Sequence, residues 1–144
     1  MAGILKSPDD VLDYAISSEE NAIAAFSDMA RMVSDERTRN LLEGLIKQES
    51  AHKEQLLSLK ADDKFAGKII DLTVLEDALT PESNVSTGQM SENEIMAYAI
   101  KAEKDSALLY DALAQMVSDD SIAETFSMLG EAERKHEKLL SSLT

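Results

Sequence analysis

Six residues of this chain stand where a helix core would want leucine, and all six are types that bind metal. The run LLEGLIKQESAHKEQLLSL at 41–59 has an apolar stripe at Leu42, Leu45, Leu56 and Leu59, interrupted by Glu49 and His52. The run TFSMLGEAERKHEKLLSSL at 125–143 sets Phe126, Leu129, Leu140 and Leu143 around Glu133 and His136 in the same way. Glu19 interrupts a third stripe, Leu12, Ala15, Ala22, Phe26, Met29 and Val33. Glu103 interrupts a fourth, Met96, Ala99, Ser106, Tyr110, Leu113 and Val117. A Glu-x-x-His pair on a helix puts its two side chains about 60° apart, so both reach a common ion.

Four carboxylates in a low-dielectric core repel one another, and burying even one ionised group without compensation is costly. Two divalent cations would bring four positive charges against the four Glu, and two neutral imidazoles complete the shells without adding charge. Oxygen plus imidazole suits iron or manganese better than a closed structural zinc site. Any one of these residues alone reads more simply as a satisfied structural polar group. Six at matching depth select metal.

The elements that must position them come from a duplication. A shift of 84 residues lays YAISSEENAIAAFSDMARMVSD (14–35) over YAIKAEKDSALLYDALAQMVSD (98–119). Fifteen of the 47 aligned pairs between 14–60 and 98–144 are identical, and they include Glu19 with Glu103, Glu49 with Glu133, and His52 with His136. The odd polar residues are therefore in register twice over. Ser7-Pro8 supplies a cap and a first-turn proline, Ser91-x-x-Glu94 a capping box, and the repeated Met-Val-Ser-Asp at 32–35 and 116–119 a break within each half. The pattern predicts helices near 8–34, 36–59, 91–117 and 119–142. Stripe spacings alternating between three and four mark faces packed in a left-handed bundle.

Tight joins inside each half, and 60–90 between the halves, complete the expectation. A helix of this length spans about 36 Å, which 60–90 can travel. We expect one all-α domain over 1–144, a four-helix bundle of two helical hairpins joined by one long crossover, with the six residues around a pseudo-twofold axis. One Glu from each of two helices, with Glu-x-x-His from each of the other two, is the ligand set of ferritin-like di-iron and di-manganese bundles.

Composition excludes other classes. Asp+Glu 28 against Lys+Arg 14 gives a net charge of −14, which repels nucleic acid and anionic membranes. With Cys 0, thiolate zinc, iron–sulfur and cysteine-nucleophile chemistry are out of reach of these residues. The N-terminal run MAGILKSPDDVLDY lacks a signal-peptide pattern and no stretch approaches a membrane span, so a soluble cytoplasmic protein is expected.

The patterns Ala15-x-x-x-Glu19 with Phe26, Glu49-x-x-His52, Ala99-x-x-x-Glu103 with Tyr110, and Glu133-x-x-His136 resemble the rubrerythrin branch of the ferritin-like superfamily. The resemblance covers the chain apart from the crossover and the extreme N-terminus. It implies a centre of two Fe ions, with manganese or a mixed pair as the alternative. Glu49 and Glu133 would bridge, Glu19 and His52 would hold one metal, and Glu103 and His136 the other. It implies reduction of peroxide or O2, with an iron-handling ferroxidase or storage role and a plain structural bundle as the competing readings. Rubrerythrins commonly carry a Cys-rich rubredoxin domain; without Cys, these residues need an external electron donor such as a rubredoxin-type protein. Relatives also carry a further Glu three residues after the third-helix ligand, which exchanges with a His on oxidation. Here that position is Ser106, matched by Ala22, and the site reads as symmetric. A homodimer is an expectation of the resemblance alone.

Other residues read as structure. Tyr110, whose counterpart is Phe26, is taken as core packing ahead of a hydrogen bond to a ligand carboxylate. Tyr14 and Tyr98 are read as helix-packing residues. Met29, Met32, Met96, Met116 and Met128 are read as core or flank filler. Glu20, Glu43, Glu54, Glu131 and Glu137 are read as solvated surface. The apolar patch Phe65, Ile69, Ile70, Leu72, Val74 and Leu75 is expected to pack along the bundle or against a second subunit.

Overall fold

The computed structural model describes residues 8–61 and 90–143. Four helices account for nearly all of them: α1 Pro8–Met32, α2 Glu36–Lys60, α3 Glu92–Met116 and α4 Asp120–Ser141. The expected ends hold to within two residues. Ser7, the expected cap of α1, and the 60–90 crossover beyond Ala61 lie outside the described residues, as does the apolar patch within it.

The breaks have a chemical cause in the repeated Ser-Asp. The Asp35 side chain accepts from Thr38 N–H and Thr38 Oγ1 at the start of α2, and Asp119 accepts from Ile122 N–H at the start of α4. Each carboxylate satisfies a donor that the first turn would leave unpaired, and its charge suits the helix N-terminus. Ser91 and Glu94 form the reciprocal capping box of α3, at 3.2 and 3.1 Å. Arg39 closes the other side of the α1–α2 turn, its guanidinium donating to Ala30 O and Val33 O.

Each hairpin is antiparallel and carries surface ion pairing between its helices. Lys53 pairs with Glu20 at 3.0 Å and Lys60 with Asp13 at 2.6 Å; across α3 and α4, Arg134 pairs with Asp111 at 2.5 Å. The predicted stripes face inward. Every stripe residue named for α1 and α3 is buried, including Val33 and Val117 just past the helix ends. Leu143 departs from its stripe and is exposed, because α4 stops at Ser141.

The apolar core is divided in two. One cluster joins Leu12 and Ala15 of α1, Leu56 of α2, Tyr110 and Leu113 of α3, and Phe126 and Leu129 of α4. The other joins Phe26 and Met29 of α1, Leu42 and Leu45 of α2, Ile95 and Ala99 of α3, and Leu140 of α4. Between them lies the layer of buried polar residues. The first cluster contains the α3–α4 turn residue Val117, the second the α1–α2 turn residue Val33. The two turns therefore sit at opposite ends. α2 finishes at the first end and α3 begins at the second.

Candidate metal centre

Glu19, Glu49, Glu103 and Glu133 are at most 1% exposed, and His52 and His136 are 9% and 3% exposed. Each comes from the middle of its helix, so four antiparallel helices bring all six to one depth. The side chains form two overlapping sets: Glu19, Glu49, His52 and Glu133, and Glu49, Glu103, Glu133 and His136. Within each set the donor atoms lie within 4.8 Å of one another. Glu49 and Glu133 belong to both sets, whereas Glu19 goes with His52 and Glu103 with His136.

Both imidazoles turn Nδ1 towards the carboxylates. His52 Nδ1 lies 2.8 Å from Glu133 Oε1 and 3.5 Å from Glu19 Oε2. His136 Nδ1 lies 2.6 Å from Glu49 Oε1 and 3.2 Å from Glu103 Oε2. Yet five buried oxygens, Glu19 Oε2, both of Glu49, Glu103 Oε1 and Glu133 Oε2, lack a hydrogen bond of good geometry, although His136 Nδ1 stands 2.6 Å from Glu49 Oε1. Poorly satisfied buried polar atoms are rare in folded proteins, and these belong to one cluster of carboxylates. An ion there would satisfy them together.

The electrostatics are those of a site waiting for charge. Burial pushes the Glu19 carboxyl up to about 9 and Glu49 to about 8, and drives Glu103 far above the carboxylate range. Burial also opposes ionisation of Glu133, but hydrogen bonds from Glu103 and His52 hold it below the usual value. For His52, burial disfavours the charge while hydrogen bonds to Glu133 and Glu19 outweigh it, raising the imidazole to about 10. Burial lowers His136, which faces the protonated Glu103. Burial and mutual repulsion therefore favour the protonated form at Glu19, Glu49 and Glu103 over four buried charges. Divalent cations could displace those protons, so the donor set fits metal in type and charge.

Two neighbours break the symmetry that the ligands keep. Tyr110, buried and stacked on Phe126 with ring centroids 6.2 Å apart, donates its hydroxyl to Glu19 Oε1 at 2.9 Å. Core packing, the reading ranked first for Tyr110, is only part of its role: it packs and it also makes the hydrogen bond ranked second. Gln48, exposed on α2, reaches His136 Nε2 at 2.5 Å. Sequence reasoning passed over Gln48 because it lies off the apolar stripe. Their repeat counterparts, Phe26 and Ala132, can do neither. Ser106 is buried beside the layer and Ala22 matches it in α1. Glu20, Glu43, Glu54 and Glu131 are exposed and Glu137 half-buried, outside both ligand sets. Of the methionines, Met29 and Met96 are core, whereas Met32 and Met128 are exposed. Tyr14 and Tyr98 pack, half-buried, one against each apolar cluster.

A four-helix bundle with a buried layer of four Glu and two His is the frame of the carboxylate-bound dinuclear metal proteins. The chain belongs to the rubrerythrin family, whose model, described as Rubrerythrin, matches residues 10–144. No curated protein and no solved structure matches the chain significantly. Among the described residues, no helix is long and apolar enough to cross a membrane.

Proposed function

We propose that the protein is a di-iron oxidoreductase that reduces hydrogen peroxide, or O2, with electrons from a donor outside these residues. The observation that carries this reading is the pair of ligand sets sharing Glu49 and Glu133. Glu19 and His52 would complete the shell of one iron and Glu103 and His136 that of the other. Bound iron would supply two electrons and open Lewis-acid positions for a small oxidant.

The residues around the layer do the rest. The apolar clusters above and below exclude bulk water, which confines the oxidant to the polar layer. Glu49 and Glu133, anchored mid-helix on α2 and α4, belong to both ligand sets and would hold two metals together. Reduction of one peroxide to two waters consumes two electrons and two protons, so each turnover needs the donor to return two electrons. With Cys 0, this chain holds no thiolate iron centre to provide them, and a rubredoxin-type protein is the partner class that fits. A soluble cytoplasmic setting suits such a partner.

The test is metal analysis of natively purified protein, then anaerobic loading with Fe(II) and separate exposure to peroxide and O2. Two irons per chain and stoichiometric oxidation by peroxide support the proposal. Continued uptake of many Fe(II) per chain, with mineral formation, moves the assignment to iron handling.

A further inference from the structure

The two halves of the duplication contribute the same ligands but different supports, and each support crosses from one half to the other. Tyr110, in the second half, donates to Glu19 of the first. Gln48, in the first half, meets His136 of the second. Phe26 stands where a matching tyrosine would serve Glu103, and Ala132 where a matching amide would serve His52.

Both differences act in one direction. With Gln48 Oε1 facing the ring at 2.5 Å, His136 carries its hydrogen on Nε2, which leaves the Nδ1 lone pair aimed at Glu49 and Glu103. An imidazole whose far N–H is held this way is oriented before the ion arrives. Glu103 accepts no tyrosine hydroxyl, because its repeat-related neighbour is Phe26. At the other position, the Tyr110 hydroxyl occupies a lone pair of Glu19 Oε1, which leaves a weaker donor, and Ala132 offers His52 no acceptor.

We infer that Gln48 is a positioning residue that makes the two metal positions unequal, so that the position of Glu103 and His136 fills first and binds more tightly than that of Glu19 and His52. The inference rests on the dinuclear reading above, and it concerns affinity and order of filling rather than turnover. Gln48 touches no metal ligand atom facing the cluster; it acts through the far side of one ring.

The experiment is a calorimetric and absorbance titration of metal-free full-length protein with Co(II), a redox-stable stand-in for Fe(II). Wild type should show two resolved steps. Gln48→Ala, at an exposed position that leaves the fold intact, should weaken the tighter step by about 10–100-fold and leave the weaker one in place. Gln48→Glu, which keeps an acceptor oxygen, should restore it. Tyr110→Phe should change only the weaker step. In Zn(II)-loaded protein, a protected His136 Nε2–H proton should be visible by NMR and be lost in Gln48→Ala. One step of two equivalent ions in the wild type, or Gln48→Ala weakening neither step or both alike, overturns this inference alone. Failure of the wild type to bind Co(II) at all overturns the dinuclear reading together with it.

Discussion

The imidazoles of His52 and His136 face each other across the centre of the bundle, with ring centroids 5.9 Å apart and planes only 16° from parallel. The two rings each turn Nδ1 into the same layer of carboxylates. Metal bound in that layer should stabilise the fold. At ion concentrations about a thousand times the dissociation constant, linkage gives about 4 kcal/mol, or on the order of 10 °C in melting temperature. Calorimetry with Mn(II) or anaerobic Fe(II), against chelator-treated protein, checks this; unchanged melting would contradict it.

Metal-free protein should lose stability as pH rises. Glu19 and Glu49 move from 4.5 to about 9 and about 8 on folding, and His52 from 6.5 to about 10. Each binds its proton more tightly when folded. Their contribution is complete below the unfolded values and is lost as pH climbs through about 8 to about 10. Thermal melts in chelator between about pH 6 and about pH 9 should therefore show a falling midpoint, with a shallower fall in Glu49→Gln.

Metal uptake should release protons at neutral pH. Burial raises Glu19, Glu49 and Glu103 and favours their protonated forms, and divalent ions would displace those protons. Titrations in buffers of different ionisation enthalpy measure the number directly. A value near zero would mean that the carboxylates are already ionised in the folded protein.

Loss of a shared carboxylate should cost both ions. Glu49→Ala or Glu133→Ala removes a donor from both ligand sets, so elemental analysis after loading should find no dinuclear centre. Glu20→Ala removes only an exposed partner of Lys53, and should change stability by under about 1 kcal/mol and leave metal content intact.

Reduced protein should react faster with peroxide than with O2, and should turn over only when a separate reductant is present. Rapid-mixing absorbance against each oxidant decides the order. Ser106 and Ala22 give the centre no extra carboxylate to exchange when the iron is oxidised, so the oxidised form should keep the same protein ligands as the reduced one. A change of His ligation between the two states would contradict that.

Much of this was legible in the chain because it is written locally. Stripe spacing, the Ser-Asp breaks and Ser91-x-x-Glu94 specify helices within a few residues, and the duplication places Glu19, Glu49, His52 and their counterparts at one depth. What escaped is long-range and asymmetric. Tyr110 and Glu19 are 91 residues apart, and their hydrogen bond depends on how two helices from different halves are rotated against each other. Gln48 is exposed and off the stripe, so periodicity assigns it to solvent; only the placement of His136, 88 residues away, gives it a role. Leu143 departed from its stripe for a simpler reason, since hydrophobic type does not fix burial past the last turn of a helix.

The polar layer also cuts the apolar interior into two compartments that share no buried side chain. What lies between them is a layer of acids and imidazoles, not interlocking hydrocarbon. Each end of the bundle, closed by its own turn, should then open as a separate unit, and bound metal would act as the clasp between them. Amide hydrogen exchange would resolve two cooperative blocks in chelator, one around Leu113 and Phe126 and one around Met29 and Leu42, merging into one on loading.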